Sequence, residues 1–322
     1  MYHQLGPGDR FTYDDITNEP IEAEFFPEKT DVLSSYSSLE PRLAMTYLLS
    51  DQNSLKLSYN RNAQYLRLMS LGAEIEWYDI WMPTTKNIKP ILTDQFAMGY
   101  FHNFNNNEIK FSAEIYYKIL YGAADFEDGL HNYLVDNLEA YVATGEGLAY
   151  GFEMSIEKPT GRFNGRLSYN YGKSDYQIDV INEGRWYPYR FDKTHSLTMF
   201  SNFQITKYLS ISSTFLYSTG RPVTLPEGYY HISGIPFPYW EGRNKYRLPD
   251  YHRLDLGIKY SPNFLMRWTR GLKTTIDVAL YNVYDRRNIH TINFNQGQNR
   301  LFEQIGQSTY GFMPSININV EF

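Results

Sequence analysis

The stretch Gly311 to Phe322, GFMPSININVEF, decides how the rest of the chain is read. From Ile316 onward apolar and polar residues alternate without a break. Ile316, Ile318, Val320 and Phe322 share one face, and Asn317, Asn319 and Glu321 the other. A period of two predicts a β-strand with one apolar and one polar side. The stretch stops on an aromatic residue, where the last strand of a soluble domain usually carries a polar, frayed tail.

Working outward, the same alternation recurs over 272–280, 253–260, 209–217, 197–205, 163–171, 150–157, 109–119, 94–102, 55–60 and 42–49. It is sharpest in 109–119, where Ile109, Phe111, Ala113, Ile115, Tyr117 and Ile119 oppose Lys110, Ser112, Glu114, Tyr116 and Lys118. With the terminal stretch this predicts about eleven long strands and no amphipathic helix. A dry sandwich core could not leave one whole face of every strand so uniformly polar, so the charged faces belong in a wet lumen. The connections alternate short and long. Short ones fall at 50–53, 105–107, 159–162 and 206–208, with a longer one at 261–271; long ones fall at roughly 67–92, 123–145, 177–193, 221–249 and 287–310. Tight turns at one end and long loops at the other predict an all-β, antiparallel transmembrane β-barrel, with periplasmic turns and extracellular loops.

Eleven is an awkward count, because bacterial single-chain barrels are usually even-numbered and an open edge in lipid is forbidden. Either residues 1–39 supply a twelfth strand, or the chain belongs to a larger barrel. The second fits better, with 1–39 as the end of an interrupted strand plus an extracellular loop, and 40–322 as barrel. The N-terminal MYHQLGPGDRF lacks the basic and apolar regions of a secretory signal, so the chain is read as mature or truncated, with Met1 internal.

Bulk properties agree. A mean hydropathy of −0.50, with no run near the roughly 20 apolar residues of a spanning helix, excludes a helical membrane protein but not a barrel, whose strands are only half apolar. The chain of 322 residues carries 17 % aromatics, 30 of them Tyr, which suits membrane–water boundaries. With no cysteine there is no disulfide, thiol nucleophile or Cys-based metal site. The net charge of −6 and pI near 5.7 offer no basic face for nucleic acid.

Two groups of residues could carry chemistry. His195 stands near Asp192 and Ser196, and His252 near Asp250, so a hydrolase triad is conceivable; polar anchoring at the barrel rim is the better reading, because nothing brings a nucleophile to its base. Seven scattered histidines show no paired metal-ligand spacing. No catalytic, cofactor or metal residue is therefore assigned. The loop clusters containing Trp77, Tyr78 and Trp81, and Tyr239 and Trp240, are candidate ligand-contacting aromatics; packing of one loop on another is the alternative. Arg166, Arg253, Asp255 and Asp277 fall on lumen faces as solvated wall.

The stretches SSLEPRLAMTYLL (37–49), SLKLSYNRNAQYL (54–66), RWYPYRFDKTHSL (185–197), YSTGRPVTLPEG (217–228), YRLPDYHRLDLGIKY (246–260), ALYNVYDRRN (279–288) and MPSININVEF (313–322) carry a family resemblance. In order and spacing they resemble the C-terminal half of the barrel of TonB-dependent outer-membrane receptors, most closely the class with a carboxypeptidase-regulatory-like domain. The resemblance implies a 22-stranded barrel in the Gram-negative outer membrane, closed by an N-terminal plug and energised by the TonB complex. Eleven strands would be half of it, and neither plug nor coupling segment lies within these residues. It implies binding and import of a nutrient without catalysis or a cofactor. Implied partners are membrane lipid, the plug, the remaining strands, the TonB complex and a surface lipoprotein. A small passive porin is the alternative, and an outer-membrane hydrolase a weaker one.

Overall fold

A computed structural model describes the chain except for residues 15–16, 71–78, 106, 129, 131–134, 136, 234, 262–272, 297–301 and 322. Eleven strands form its wall: β1 (Arg42–Ser50), β2 (Asn53–Gln64), β3 (Ile91–Phe104), β4 (Ile109–Phe126), β5 (Val142–Lys158), β6 (Phe163–Gln177), β7 (His195–Thr206), β8 (Leu209–Ser218), β9 (Tyr251–Tyr260), β10 (Lys273–Tyr281) and β11 (Met313–Glu321). Each pairs antiparallel with its neighbour in sequence, as a meander. The short Tyr187–Pro188 adds to β6 and makes the sheet twelve-stranded. Among the described residues β1 and β11 do not pair with each other, so the sheet stays open. Residues 2–36 supply no twelfth wall strand. They form two small antiparallel pairs of their own, Tyr2–Leu5 with Val32–Tyr36 and Gly8–Tyr13 with Pro20–Phe26.

The register carries the alternation of single strands across the whole sheet. Phe163, Phe203, Ile211, Ile258, Val278 and Ile316 are successive partners from β6 to β11. Met45, Leu57, Met98, Ile115 and Phe152 are partners from β1 to β5. One residue of slip anywhere would turn a strand's apolar set to the other side. Among the described residues no second layer covers these rows: Met45 is 60 % exposed, Ile115 54 % and Ile316 72 %. Between β1 and β4 they line a shallow apolar groove of about 680 Å³. Returning a side chain of this size to water costs about 1.5–3 kcal/mol, and soluble monomers rarely expose contiguous apolar patches this extensive. A hydrocarbon solvent against this face removes the penalty. Phe322 lies outside the described residues.

The apolar belt ends where a lipid boundary requires. Next to Met98 and Leu57 come Phe96 and Tyr59, partners with ring centroids 5.0 Å apart. The following outward pair is Arg61 and Asp94, joined from Nε to Oδ1 at 2.7 Å, and the Tyr59 hydroxyl donates to the same oxygen at 2.8 Å. Aromatic rings with a polar tip at such a border are the expected interfacial residues. On the opposite face Tyr116 crosses two partnered glycines. A Cβ at Gly151 or Gly172 would fall 2.6 or 2.9 Å from its hydroxyl, so a side chain at either position would displace the ring, and at Gly151 it would also meet the Tyr171 carbonyl oxygen.

At one end the strands are joined by tight turns. Ser50 Oγ accepts from Gln52 N and Asn53 Nδ2, Asn105 and Asn107 take positive φ, and Thr206 Oγ1 accepts from Tyr208 N. The connection 262–272 lies outside the described residues. At the other end β2 to β6 run on past the belt into the loops, which contain short hairpins. These are Leu66–Met69 with Ile80–Pro83, Pro226–Ile232 with Ile235–Trp240, and Ile289–Gln296 with Phe302–Ser308. The packed cores sit in this layer rather than in the wall. One joins Ala123, Ala143, Tyr176, Ile178, Ile181 and Tyr187; the other joins Met69, Met82, Ile88 and Phe126.

Candidate functional site

The long-loop end is held together by one buried carboxylate. Asp125 lies at the end of β4, where the alternating strand leaves the belt. Arg190, from the β6–β7 loop, donates Nη2 to Asp125 Oδ1 at 2.7 Å. Arg243, from the β8–β9 loop, donates to the same oxygen at 3.1 Å and reaches Asp128 Oδ1 at 3.3 Å. The buried Tyr187 hydroxyl lies 3.4 Å from Asp125 Oδ2. Burial alone would push the Arg243 guanidinium down; Asp125 and Asp128 outweigh it and hold it above its ordinary value. Burial, and then Asp125, push the Tyr187 phenol up, so it stays neutral and able to donate. Asn182 Oδ1 accepts from Arg243 N at 3.1 Å, and Asn244 Nδ2 donates to Pro188 O at 2.9 Å. Two loops far apart in sequence are thereby strapped to one strand end.

Between those two loops lies a cleft of about 290 Å³, lined by Asn182, Arg185, Trp186, Glu241 and Lys245 among others. Trp186 is 45 % exposed. The charges around it are paired within the chain: Arg185 with Glu183 at 2.9 Å, and Lys245 with Glu241 at 3.7 Å and with Glu227. Hydrogen bonding from Lys245 holds the Glu227 carboxyl below its usual range. An exposed indole beside fixed donors and acceptors can stack on a ligand and orient it.

The aromatics expected from sequence fall on separate hairpins. Trp81 is opposite Leu68 and 61 % exposed. Tyr239 and Trp240 end the Ile235–Trp240 strand, 52 % and 39 % exposed, and as successive strand residues they face opposite sides. Trp77 and Tyr78 lie outside the described residues. Sequence reading passed over Trp186, although RWYPYR has the same aromatic and basic character in a long loop. It also passed over Asp125, Arg190 and Arg243, whose meeting depends on three distant segments.

The histidines take rim positions. His195 Nδ1 and the Tyr169 hydroxyl are 2.8 Å apart, while Ser196, next along β7, points to the other face. Asp192 accepts from Ser174 N, Thr194 Oγ1 and Arg247, none of them His195. His252 Nδ1 meets the Tyr284 hydroxyl at 2.8 Å, and Asp250 accepts from Tyr217 and from Gly220 N. Among the described residues neither histidine has a nucleophile and a carboxylate hydrogen-bonded to it. In the lumen, Arg253 pairs with Asp255 at 2.9 Å and lies 4.1 Å from the Tyr281 ring centre. Arg166 donates to Ser155 and Ser168, and Asp277 accepts from Asn319.

None of the curated proteins matches the sequence. Solved structures do match the fold. The ferripyoverdine receptor of the Pseudomonas aeruginosa outer membrane superposes with a TM-score of 0.57 at 14 % identity, over 90 % of this chain and 34 % of its own. The ferric yersiniabactin uptake receptor of Yersinia pestis gives 0.55 at 16 % identity, over 87 % and 37 %. The ferric-catecholate import receptor Fiu of Escherichia coli gives 0.53 at 14 %, over 91 % and 36 %. The chain therefore spans about a third of the length of these receptors. A family model described as TonB dependent receptor-like β-barrel matches residues 4–283. That is a family of outer-membrane receptors and not of enzymes. With an open meander of eleven long strands, an uncovered apolar face and a strapped loop end, the chain is a partial barrel belonging to the TonB-dependent receptor β-barrel family.

Proposed function

We propose that this chain supplies part of the wall and the extracellular loop layer of an outer-membrane importer, which captures a nutrient at the loops and passes it inward with energy from the TonB system. Residues 1–39 then form an extracellular loop and 40–322 the C-terminal part of the barrel. A plug, the remaining strands, membrane lipid, the TonB complex and a surface lipoprotein are its partners. Trp186, Trp81, Tyr239 and Trp240, with Trp77 and Tyr78, are proposed to contact the ligand. The observation that carries this reading is the apolar row from Phe163 to Ile316, continuous across six strands and, among the described residues, capped by a loop layer at one end. A passive porin would need β1 and β11 to close on each other, and among the described residues they do not pair.

The chain has no native cysteine, so single substitutions can be labelled cleanly. In intact cells, a membrane-impermeant maleimide is expected to label Trp240→Cys and Trp186→Cys. Asp51→Cys, in the β1–β2 turn, should react only after the outer membrane is permeabilised. Labelling of Asp51→Cys in intact cells would reverse the orientation and remove the loop cleft as a point of capture.

A further inference from the structure

The hairpin formed by Gly8–Tyr13 and Pro20–Phe26 is not used by the wall or by the cleft. Three observations set it apart. Pro20–Phe26 pairs along one edge only, with Gly8–Tyr13, among the described residues. From Pro20 to Phe25 every residue is exposed, including Ile21 at 68 % and Phe25 at 69 %. Residues 1–40 also contain nine acidic and two basic side chains, a net −7, where the whole chain carries −6. The acidity of the protein is thus concentrated in this arm, and the rest of the chain is nearly neutral.

We infer that Pro20–Phe26 is a docking edge for a basic, alternating strand of a partner protein, joined by strand addition. An exposed edge presents unpaired N–H and C=O groups to any extended chain, and main-chain bonds supply the affinity in such additions. Side chains select the occupant. Ile21, Ala23 and Phe25 lie on one face and Glu22 and Glu24 on the other, with Glu24 already paired to Arg10, so a matching strand sets apolar residues against the first face and Lys or Arg against Glu22 on the second. A second copy of this edge would place carboxylates against carboxylates, which disfavours self-pairing. The arm is held ready for docking. Arg10, one of its two cations, is consumed internally by Glu24, the Leu33 carbonyl and the Phe26 ring. Asn87 Nδ2 donates to Phe11 O and Asn18 Nδ2 to Glu127, which tie the hairpin to the loop layer.

The test uses the full-length receptor in lipid nanodiscs and a fluorescent peptide of alternating Lys and Val, followed by anisotropy. The Lys-Val peptide is expected to bind. Its Glu-Val counterpart, and a Lys-Val peptide N-methylated at alternate residues, should bind at least roughly tenfold more weakly. Glu22→Lys, and Ile21→Ser combined with Phe25→Ser, should lower Lys-Val binding by a similar factor while the barrel keeps its heat-modifiable gel migration. Equal binding of the N-methylated peptide to the unaltered receptor would overturn strand addition without relying on any variant. Hydrogen exchange showing both edges of Pro20–Phe26 protected in the free receptor would overturn it too, since another segment of the same protein would then occupy the edge.

Discussion

Asp125 shows how one residue can organise distant loops. Its side chain is 4 % exposed, and those of Arg190 and Arg243 are 9 % and 17 % exposed. Removing the carboxylate takes the Asp125 partner from the buried Arg190 and leaves Arg243 with Asp128, a change of the kind that costs about 3–5 kcal/mol where one partner of a buried pair is deleted. Asp125→Ala is therefore expected to lose hydrogen-exchange protection over 178–192 and 241–247, while β7 to β9, with their own ladders, stay protected; unchanged protection in the loops would count against the strap. A second residue reports on pH. Burial first, and then Glu139, push the Tyr13 phenol up to about 12. A raised folded value means that the stabilisation is complete below the unfolded value of about 10 and fades as pH rises through about 12. A tyrosinate absorbance titration should lose a late-titrating component in Tyr13→Phe, and an unchanged curve would disprove the burial of this phenol. Sequence patterns could not reveal either site, because period and turn signals report nearest neighbours and these residues meet partners from 50 or more positions away.

Among the elements, the corner between β10 and β11 explains one of the motifs on which the family resemblance rested. In YNVYDRRN, Asn282 is fully buried with φ of 52°. Its backbone N–H donates to Asp255 Oδ1, and its Nδ2 to the Arg286 and Tyr310 carbonyls at 2.9 and 3.1 Å. Asp285 Oδ1 accepts from Phe312 N at 2.7 Å, and Asn288 bonds both the N–H and the carbonyl of His252. The motif thus stitches β9, β10 and β11 at their loop end and is a structural device rather than a ligand contact. Asn282→Leu leaves two carbonyls without donors and forces a branched chain into left-handed backbone, each at about 1–3 kcal/mol. Lower thermal stability of the heat-modifiable band is expected, by several degrees; an unchanged transition would contradict the stitch. The strands themselves were legible because alternation such as Ile109 to Ile119 needs only local reading, and over the described residues all eleven appear where the pattern placed them. Their length was not: β4 continues to Phe126 and β5 begins at Val142, where the alternation is blurred by Gly122, Gly145 and Gly147. The loop hairpins were missed for a related reason, since partners such as Ile292 and Gly306 share no apolar period that a local reading could find.

At the scale of the molecule, the sheet is two-faced and unclosed, and both facts point beyond the chain. A wall whose rows run from Phe163 to Ile316 with none of the described residues packed on them needs an apolar solvent. Edges at β1 and β11 need further strands, which agrees with the share of the larger receptors that the chain spans. The most direct measurement of lipid contact is nitroxide accessibility at single cysteines along β9 and β11, with the protein in its full-length barrel in a bilayer. Labels at Ile258, Ile316 and Ile318 are expected to collide with dissolved oxygen and not with a water-soluble nickel chelate, whereas labels at Lys259, Asn317 and Asn319 should show no such preference for oxygen. A period of two along both strands is the expected result. Equal access of the chelate to Ile318 and Asn319 would mean that water wets both faces, and would contradict a membrane wall.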